Sequence, residues 1–328
     1  MGKFFKIVIK IILGIVVIIA LAIGYIKIML PNIDADQTLK IEATPERITR
    51  GDYLANHVAV CMDCHSTRDW GLFAGPMAAE GIGAGGEKFN RDMGFPGEIY
   101  ARNITQAAIG DWTDGELVRA ITSGVSKDGN ALFPIMNYHR FGQMDREDVY
   151  SIVAYIRTLK PIKNEVPESQ YDFPVNILIN TFPKEAAYAN IPPKTDRKAY
   201  GKYLVNASGC VDCHSRMDKG KIIPWTEFGG GMIFSQPAGA VTASNITPHK
   251  TTGIGAWTKE NFIQRFKLFD AADYKPAKIG LDQLNTPMPW NRYAGMTDED
   301  LSAIYAYLQS LKPIDNKVVA YSKSSGVK

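Results

Sequence analysis

Histidine and cysteine are both scarce in this chain, with five and four copies in 328 residues. An excess of positive charge is also missing. The formal net charge is +3, and residues 1–30 hold four lysines and no acids, which leaves −1 for the remainder. Nucleic-acid binding therefore finds no support. No sustained period-two alternation appears, so the pattern carries no strand signal. A βαβ setting, which a thioredoxin-like redox motif would need, is absent from the pattern as well.

The scarce residues are ordered. All four cysteines fall in two blocks, Cys61-Met62-Asp63-Cys64-His65 and Cys210-Val211-Asp212-Cys213-His214. A zinc ribbon would want its Cys pairs close in sequence, and these lie in separate halves. Two disulfides would leave the histidines unexplained. Two of so few histidines landing behind both pairs by chance has odds of about 2 in 10,000 on composition alone. Cys-x-x-Cys-His is the attachment signal for c-type haem. The thiols add to the porphyrin vinyl groups, and the histidine is placed to bind the iron. The expected cofactors are two covalently bound haem c groups, on Cys61 and Cys64 and on Cys210 and Cys213, with His65 and His214 as axial ligands.

Ile11 to Ile26 is an uninterrupted run of apolar residues and glycine, bounded by Lys10 and Lys27. From Ile7 to Leu30 a helix would be roughly 36 Å long at 1.5 Å per residue, enough to cross a bilayer core. Lys3, Lys6 and Lys10 before it keep the N-terminus cytoplasmic. Ala20-Leu21-Ala22 resembles a signal-peptide cleavage site. The apolar stretch nevertheless continues through Ile28 and Leu30, so an uncleaved anchor is expected. This places the rest of the chain, single-pass, on the periplasmic side of the inner membrane, where c-type haem is attached.

The halves repeat one another. Arg50-Gly51-Asp52-Tyr53-Leu54 matches Tyr200-Gly201-Lys202-Tyr203-Leu204, and a glycine inside these helices predicts close approach of another helix. Asn103-Ile104-Thr105 matches Asn245-Ile246-Thr247. Gly110-Asp111-Trp112-Thr113 matches Gly255-Ala256-Trp257-Thr258, with both threonines as helix N-caps. Met136-Asn137-Tyr138-His139-Arg140 matches Met288-Pro289-Trp290-Asn291-Arg292. The closing helices begin at caps Asp145 and Thr297, with Asp148 and Asp300 at the capping-box position, where glutamate is usual. Within each module helices dominate. The segment Pro161 to Thr195, with six prolines, reads as an extended linker whose Phe173, Val175, Ile177, Leu178, Ile179 and Phe182 pack along the modules.

Each iron needs a second axial ligand. Met136 or Met144, and Met288 or Met296, are the candidates, with His139 a rival in the first module. Prolines keep the Met136 and Met288 strips out of helix. Met144 and Met296 suit hydrophobic staples. Met136 and Met288 are therefore assigned as ligands. Candidate haem-pocket residues are Asn103, Trp112, Tyr138, Arg140, Asn245, Trp257, Trp290 and Arg292. The aromatics would otherwise be core, and the arginines either pair with propionates or are solvated. His57 reads as a surface or propionate contact and His249 as a loop residue. Two irons closed by His and Met suggest electron transfer. A displaceable ligand on one of them would instead allow a dihaem enzyme, such as a peroxidase or a thiosulfate-oxidising cytochrome.

The chain resembles the di- and tri-haem cytochrome c subunits of membrane-bound alcohol and gluconate dehydrogenases. The likeness is carried by Asn245-Ile246-Thr247-Pro248 with Gly253-Ile254-Gly255-Ala256-Trp257-Thr258, by Met288-Pro289-Trp290 running into Asp298-Glu299-Asp300, and by Ile304-Tyr305-Ala306-Tyr307-Leu308. It implies an all-α architecture, with two tandem cytochrome c domains after one transmembrane helix. The expected division is 1–30 anchor, 31–44 juxtamembrane linker, 45–160 first domain, 161–194 proline-rich linker, 195–315 second domain and 316–328 tail. The resemblance carries axial ligation onto His65, Met136, His214 and Met288. It also implies redox partners: a dehydrogenase or quinol-oxidising complex on one side, a terminal oxidase or soluble carrier on the other. The related subunits have three haem modules and this chain has two, and Asn137 stands where the second module has Pro289.

Overall fold

Gly51 and Gly201 organise the fold. In the computed structural model, which describes residues 2–280 and 282–323, helix α2 (Pro45–Tyr53) crosses a later helix, α7 (Arg146–Ile156). A Cβ on Gly51 would sit 1.8 Å from the Ser151 carbonyl oxygen. In the second module α9 (Arg197–Ala207) crosses α13 (Asp298–Gln309). There a Cβ on Gly201 would sit 1.9 Å from the Ala303 carbonyl oxygen. No side chain fits either crossing, which accounts for a glycine in mid-helix.

Between these helix pairs each module runs through a short helix at its Cys block, short strands and further helices, with differences of detail. In the first, α2 continues as a π-helical turn over Leu54–Val58 and leads to α3 (Cys61–Cys64), β1 (Lys88–Phe89), β2 (Gly97–Tyr100), α4 (Gln106–Ile109), α5 (Asp114–Ser123) and α6 (Tyr138–Phe141). In the second, α10 (Cys210–Cys213), β4 (Met217–Asp218), β5 (Lys221–Ile222), β6 (Ile233–Gln236), β7 (Gly239–Thr242), α11 (Lys259–Lys267) and α12 (Trp290–Tyr293) intervene. The modules are thus not purely helical. The strands are two to four residues long, too short for alternation to register in the sequence.

Thr113 caps α5 in a complete capping box with Glu116, and Thr258 caps α11 by accepting from the Asn261 amide. The closing helices differ from expectation. Neither Asp148 nor Asp300 reaches back to its own N-cap amide. The aspartate is one methylene shorter than glutamate, and a tyrosine from the opposite module takes its place. The Asp145 N–H donates to Tyr203 Oη (3.1 Å), which donates to Asp148 Oδ2 (2.6 Å). Reciprocally, the Thr297 N–H donates to Tyr53 Oη (3.1 Å), which donates to Asp300 Oδ2 (2.6 Å). Tyr53 and Tyr203 are repeat equivalents, so each module completes the other's helix cap.

The modules consequently share one contiguous apolar cluster, which includes Leu54, Val58, Met144 and Ile152 from the first and Leu204, Met296, Leu301 and Ile304 from the second. A second contact joins their loops. The Asn285 side chain donates to the Leu72 carbonyl (2.8 Å) and accepts from the Ala74 amide (2.9 Å).

The stretch between the modules is more than a linker. Its β3 (Gln170–Tyr171) pairs antiparallel with β2, and α8 (Val175–Leu178) follows. Ile179 is buried as expected, whereas Phe173 (79% exposed) and Leu178 (40% exposed) do not pack on either module. At the chain's other end, Tyr321–Lys323 forms β8 against β7 instead of a free tail, and residues 324–328 lie outside the described residues. The N-terminal helix α1 (Lys3–Met29) has no buried residue and is long and apolar enough to cross a membrane.

Candidate haem sites

Each block opens on a left-handed turn. Val60 (φ 46°) precedes Cys61, and Gly209 (φ 64°) precedes Cys210. Gly209 adopts this backbone freely. Val60, β-branched, does so under strain, so the surrounding packing must impose the turn. The four cysteines form no disulfide. The two Cys pairs are not gathered into one site. Among the described residues no cluster of three or more His, Cys, Asp or Glu could hold a metal ion. A protein-only zinc centre thus finds no framework here.

The histidines are oriented by second partners. His65 Nδ1 lies 2.7 Å from the Arg102 carbonyl oxygen, and His214 Nδ1 lies 2.7 Å from the Ser244 carbonyl oxygen. A carbonyl only accepts, so Nδ1 carries the proton and Nε2 keeps its lone pair for a metal. Burial lowers the pKa of both imidazoles, which favours the neutral form that ligates iron.

The Asn-Ile-Thr repeat explains how those carbonyls are held. Arg102 and Ser244 immediately precede Asn103 and Asn245. Asn103 Oδ1 accepts from the Thr105 amide (2.9 Å) and hydroxyl (2.8 Å), while its Nδ2 donates to the Ile162 carbonyl (2.8 Å). Asn245 does the same with Thr247 (2.9 and 2.7 Å) and the Ile314 carbonyl (2.7 Å). Each clamp ties the strip over the histidine to the segment following the module's closing helix. Asn103 and Asn245 are therefore positioning residues.

Two further pairs were not singled out from the sequence. Ser66 and Ser215, each directly after a block histidine and wholly buried, accept from the Gly83 amide (3.1 Å) and the Phe228 amide (3.0 Å). Gly85 and Gly230 donate to the His65 and His214 carbonyls (2.9 and 2.8 Å) from positive-φ turns. A Cβ on Gly85 would meet the Arg102 carbonyl carbon at 2.5 Å. The Cys-x-Asp-Cys-His-Ser identity and the glycine runs were the available signals.

Among the methionines, Met144 and Met296 are fully buried in the core, while Met136 and Met288 are only partly buried at its edge. Met136 ends a 3₁₀ turn (Pro134–Met136). His139 is exposed. Tyr138 Oη and both amide atoms of Asn291 are buried without a hydrogen-bond partner in the protein, beside Met136 and Met288 in the two strips. The donors among them, Tyr138 Oη and Asn291 Nδ2, suit a group bearing carboxylates, as haem does through its propionates. Together with the free Nε2 atoms and paired thiols, they fit haem c.

The remaining candidates serve other contacts. Arg140 makes a bidentate ion pair with Asp212, inside the opposite module's block, and reaches Asn206 Oδ1 (3.1 Å). The equivalent Arg292 reaches Asn56 Oδ1 (3.5 Å). Asp63 pairs instead with Arg68 of its own module (2.9 Å). Trp290 stacks with Phe269 and lies under Arg265. Trp112 packs against the core, and Trp257 is 37% exposed. His57 is half-buried. Its Nδ1 bonds the Arg292 carbonyl (2.7 Å), and burial lowers its pKa. His249, in its loop, bonds Thr252 Oγ1 (2.7 Å).

Further contacts join the two modules around the blocks. A Cβ on Gly295 would touch the His57 ring at 2.2 Å, and one on Gly209 would meet Asn137 Nδ2 at 2.9 Å. Each methionine strip thus abuts the helix or turn leading into the opposite block. Tyr293, at the end of α12, is buried. Its hydroxyl donates to the Ser208 carbonyl (2.8 Å). Burial raises its pKa, and the Asp63 carboxylate raises it further.

The cytochrome c family model matches residues 198–312, within the second module. The chain is 29% identical to the fructose dehydrogenase cytochrome subunit of Gluconobacter japonicus, over 85% of this chain and 56% of that protein. It is 26% identical to the gluconate 2-dehydrogenase cytochrome c subunit of Pantoea cypripedii, over 87% of this chain and 64% of the relative. It is also 26% identical to a diheme cytochrome c-type protein of Cereibacter sphaeroides, over 78% of this chain and 83% of the relative. The chain thus spans 56% to 64% of the two dehydrogenase subunits it matches. Over most of its length it is similar to the cytochrome c subunits of sugar, sugar-acid and alcohol dehydrogenases, and its second module matches a domain that binds haem c covalently.

Proposed function

We propose that this chain is a membrane-anchored dihaem cytochrome c that passes electrons between a dehydrogenase or quinol-oxidising complex and a terminal oxidase or soluble carrier. One haem is held by Cys61, Cys64, His65 and Met136, the other by Cys210, Cys213, His214 and Met288. The observation that carries this reading is the reciprocal packing of the two modules. Each methionine strip lies against the approach to the opposite block. Haem c supplies a ferric/ferrous centre that takes up and releases one electron at a time.

The protein's own groups hold that centre closed. The Arg102 and Ser244 carbonyls fix the His65 and His214 tautomers, and the asparagine clamps fix those carbonyls. Met136 and Met288 would each offer a thioether to a haem iron, and an iron so saturated would exchange electrons rather than bind substrate. α1 spans the inner membrane and keeps both modules on the periplasmic face.

Co-purification from native membranes, followed by addition of the co-purified dehydrogenase's substrate, tests the reading. Reduction of two haems per chain is expected, with Cys213→Ala leaving one. A haem that stays oxidised, or turnover of peroxide or thiosulfate by the isolated protein, would overturn it.

A further inference from the structure

The end of α1 is not a free tether. Asn180 Nδ2 donates to the Ile26 carbonyl (3.2 Å) and the Leu30 carbonyl (2.9 Å), which a helix C-terminus otherwise leaves unpaired. Lys27 Nζ donates to the Asn176 carbonyl (2.6 Å). Residues 176–180 therefore lie alongside the last turn of α1, a rise of about 5 Å. Lys27 is the basic residue that bounds the apolar run. It marks the level at which the helix leaves the hydrocarbon for the headgroups.

At that level the inter-module segment presents apolar groups outward. Phe173 is 79% exposed and Leu178 40% exposed, and Pro174 between them is exposed too. Ile179, next in sequence, is 4% exposed and belongs to the core. One side of the segment thus faces the fold and the other faces away from it. A single exposed apolar residue is ordinary. A cluster of them beside the exit of a lipid-spanning helix meets lipid.

The segment is held there from both directions. β3, just before Phe173, is paired to β2, and Asp172 accepts from Arg91 through two bonds (2.9 and 2.6 Å). The juxtamembrane stretch is strapped to α5. The Arg119 guanidinium donates to the Ile33 carbonyl (3.2 Å), and a Cβ on Gly115 would collide with the Asp36 carbonyl oxygen at 2.0 Å.

We infer that Phe173, Pro174 and Leu178 form a second membrane contact, seated in the headgroup–acyl boundary of the bilayer that α1 crosses. The occupant of this apolar knuckle is lipid. With α1 it fixes the height and tilt of the haem modules over the membrane. This rests on the reading of α1 as a membrane span.

The test uses the full-length, haem-loaded protein in phosphatidylcholine nanodiscs. Haem attachment uses every native thiol, so Phe173→Cys, Val17→Cys (middle of α1) and Glu168→Cys (exposed, before β3) each take one nitroxide label. Relative accessibility to oxygen and to a water-soluble nickel chelate reports depth. The label at 173 is expected to favour oxygen over nickel by at least about twofold relative to that at 168, and less than that at 17. Equal values at 173 and 168, with the label at 17 deep in lipid, would overturn the knuckle and leave the anchor standing. A water-exposed label at 17 would overturn the span, and the inference with it.

Discussion

Replacing Tyr53 by phenylalanine should destabilise the protein more than the same change at Tyr203, although the two are repeat equivalents with matching geometry. Each hydroxyl makes two bonds across the modules, accepting from an N-cap amide and donating to a buried carboxylate. A hydrogen bond to a charged group contributes about 1.5–3 kcal/mol, and a buried acceptor left short of partners adds to the cost. What remains after removal differs. Asp148 keeps Arg50, whose guanidinium donates twice at 2.8 Å, so its charge stays paired. Asp300, 1% exposed, keeps only the Tyr200 hydroxyl at 3.1 Å among its side-chain donors. Tyr53→Phe should therefore cost about 3 kcal/mol and Tyr203→Phe about 1.5 kcal/mol. Urea unfolding of the haem-loaded protein, followed by circular dichroism, measures both. Two costs below about 0.5 kcal/mol would show that the trans caps contribute nothing. A larger cost at Tyr203 would refute the assignment of Arg50 as the compensating partner.

The same interface sets a pH window. Burial and a neighbouring carboxylate raise the pKa of Tyr53 and Tyr203 above the ordinary 10.0, so their stabilisation is complete below that pH and is lost as pH rises beyond it. Burial lowers the pKa of His57 below its ordinary 6.5, so the unfolded chain binds the proton first and stability declines as pH falls through that value. Unfolding free energy should thus be greatest between these limits, and the Tyr53→Phe, Tyr203→Phe double variant should flatten the alkaline side. Met136→Ala and Met288→Ala should each abolish the charge-transfer band of one methionine–iron bond. Met144→Ala and Met296→Ala should keep both bands and instead cost about 2–5 kcal/mol of stability. Gly201→Ala should prevent α9 from seating on α13, read as a large loss of helical signal and of haem retention, because its Cβ would meet backbone.

How much of this was legible follows from the range over which each signal acts. The mid-helix glycines and the Thr113 and Thr258 caps are local, and a local pattern names them correctly. Asn103 and Asn245 were visible as a repeat, but their work is to hold carbonyls against histidines some 30 or more residues away, which no periodicity records. Strands of two residues fall below any pattern. The apolar stretch around Phe173 was expected to pack on the modules because its composition distinguishes buried from wet surface, and lipid-facing surface has the same composition as buried surface.

The repeat itself concealed the main feature. Tyr53 with Asp148 and Tyr203 with Asp300 sit at matching places, so a cap completed within a module and a cap completed between modules leave the same trace in the sequence. Reach decides between them. Aspartate at the third helical position does not return to its own N-cap here, and a hydroxyl from the other module bridges the gap. Departures from the repeat then make the two sites inequivalent. Asp63 is neutralised within its module by Arg68, and Asp212 across the interface by Arg140. His57, which packs on Gly295, has Ala207 as its counterpart. On the dihaem reading proposed above, a charge moving from one site to the other would enter a different electrostatic setting, and that difference would give two copies of one motif the means to hold an electron with unequal affinity.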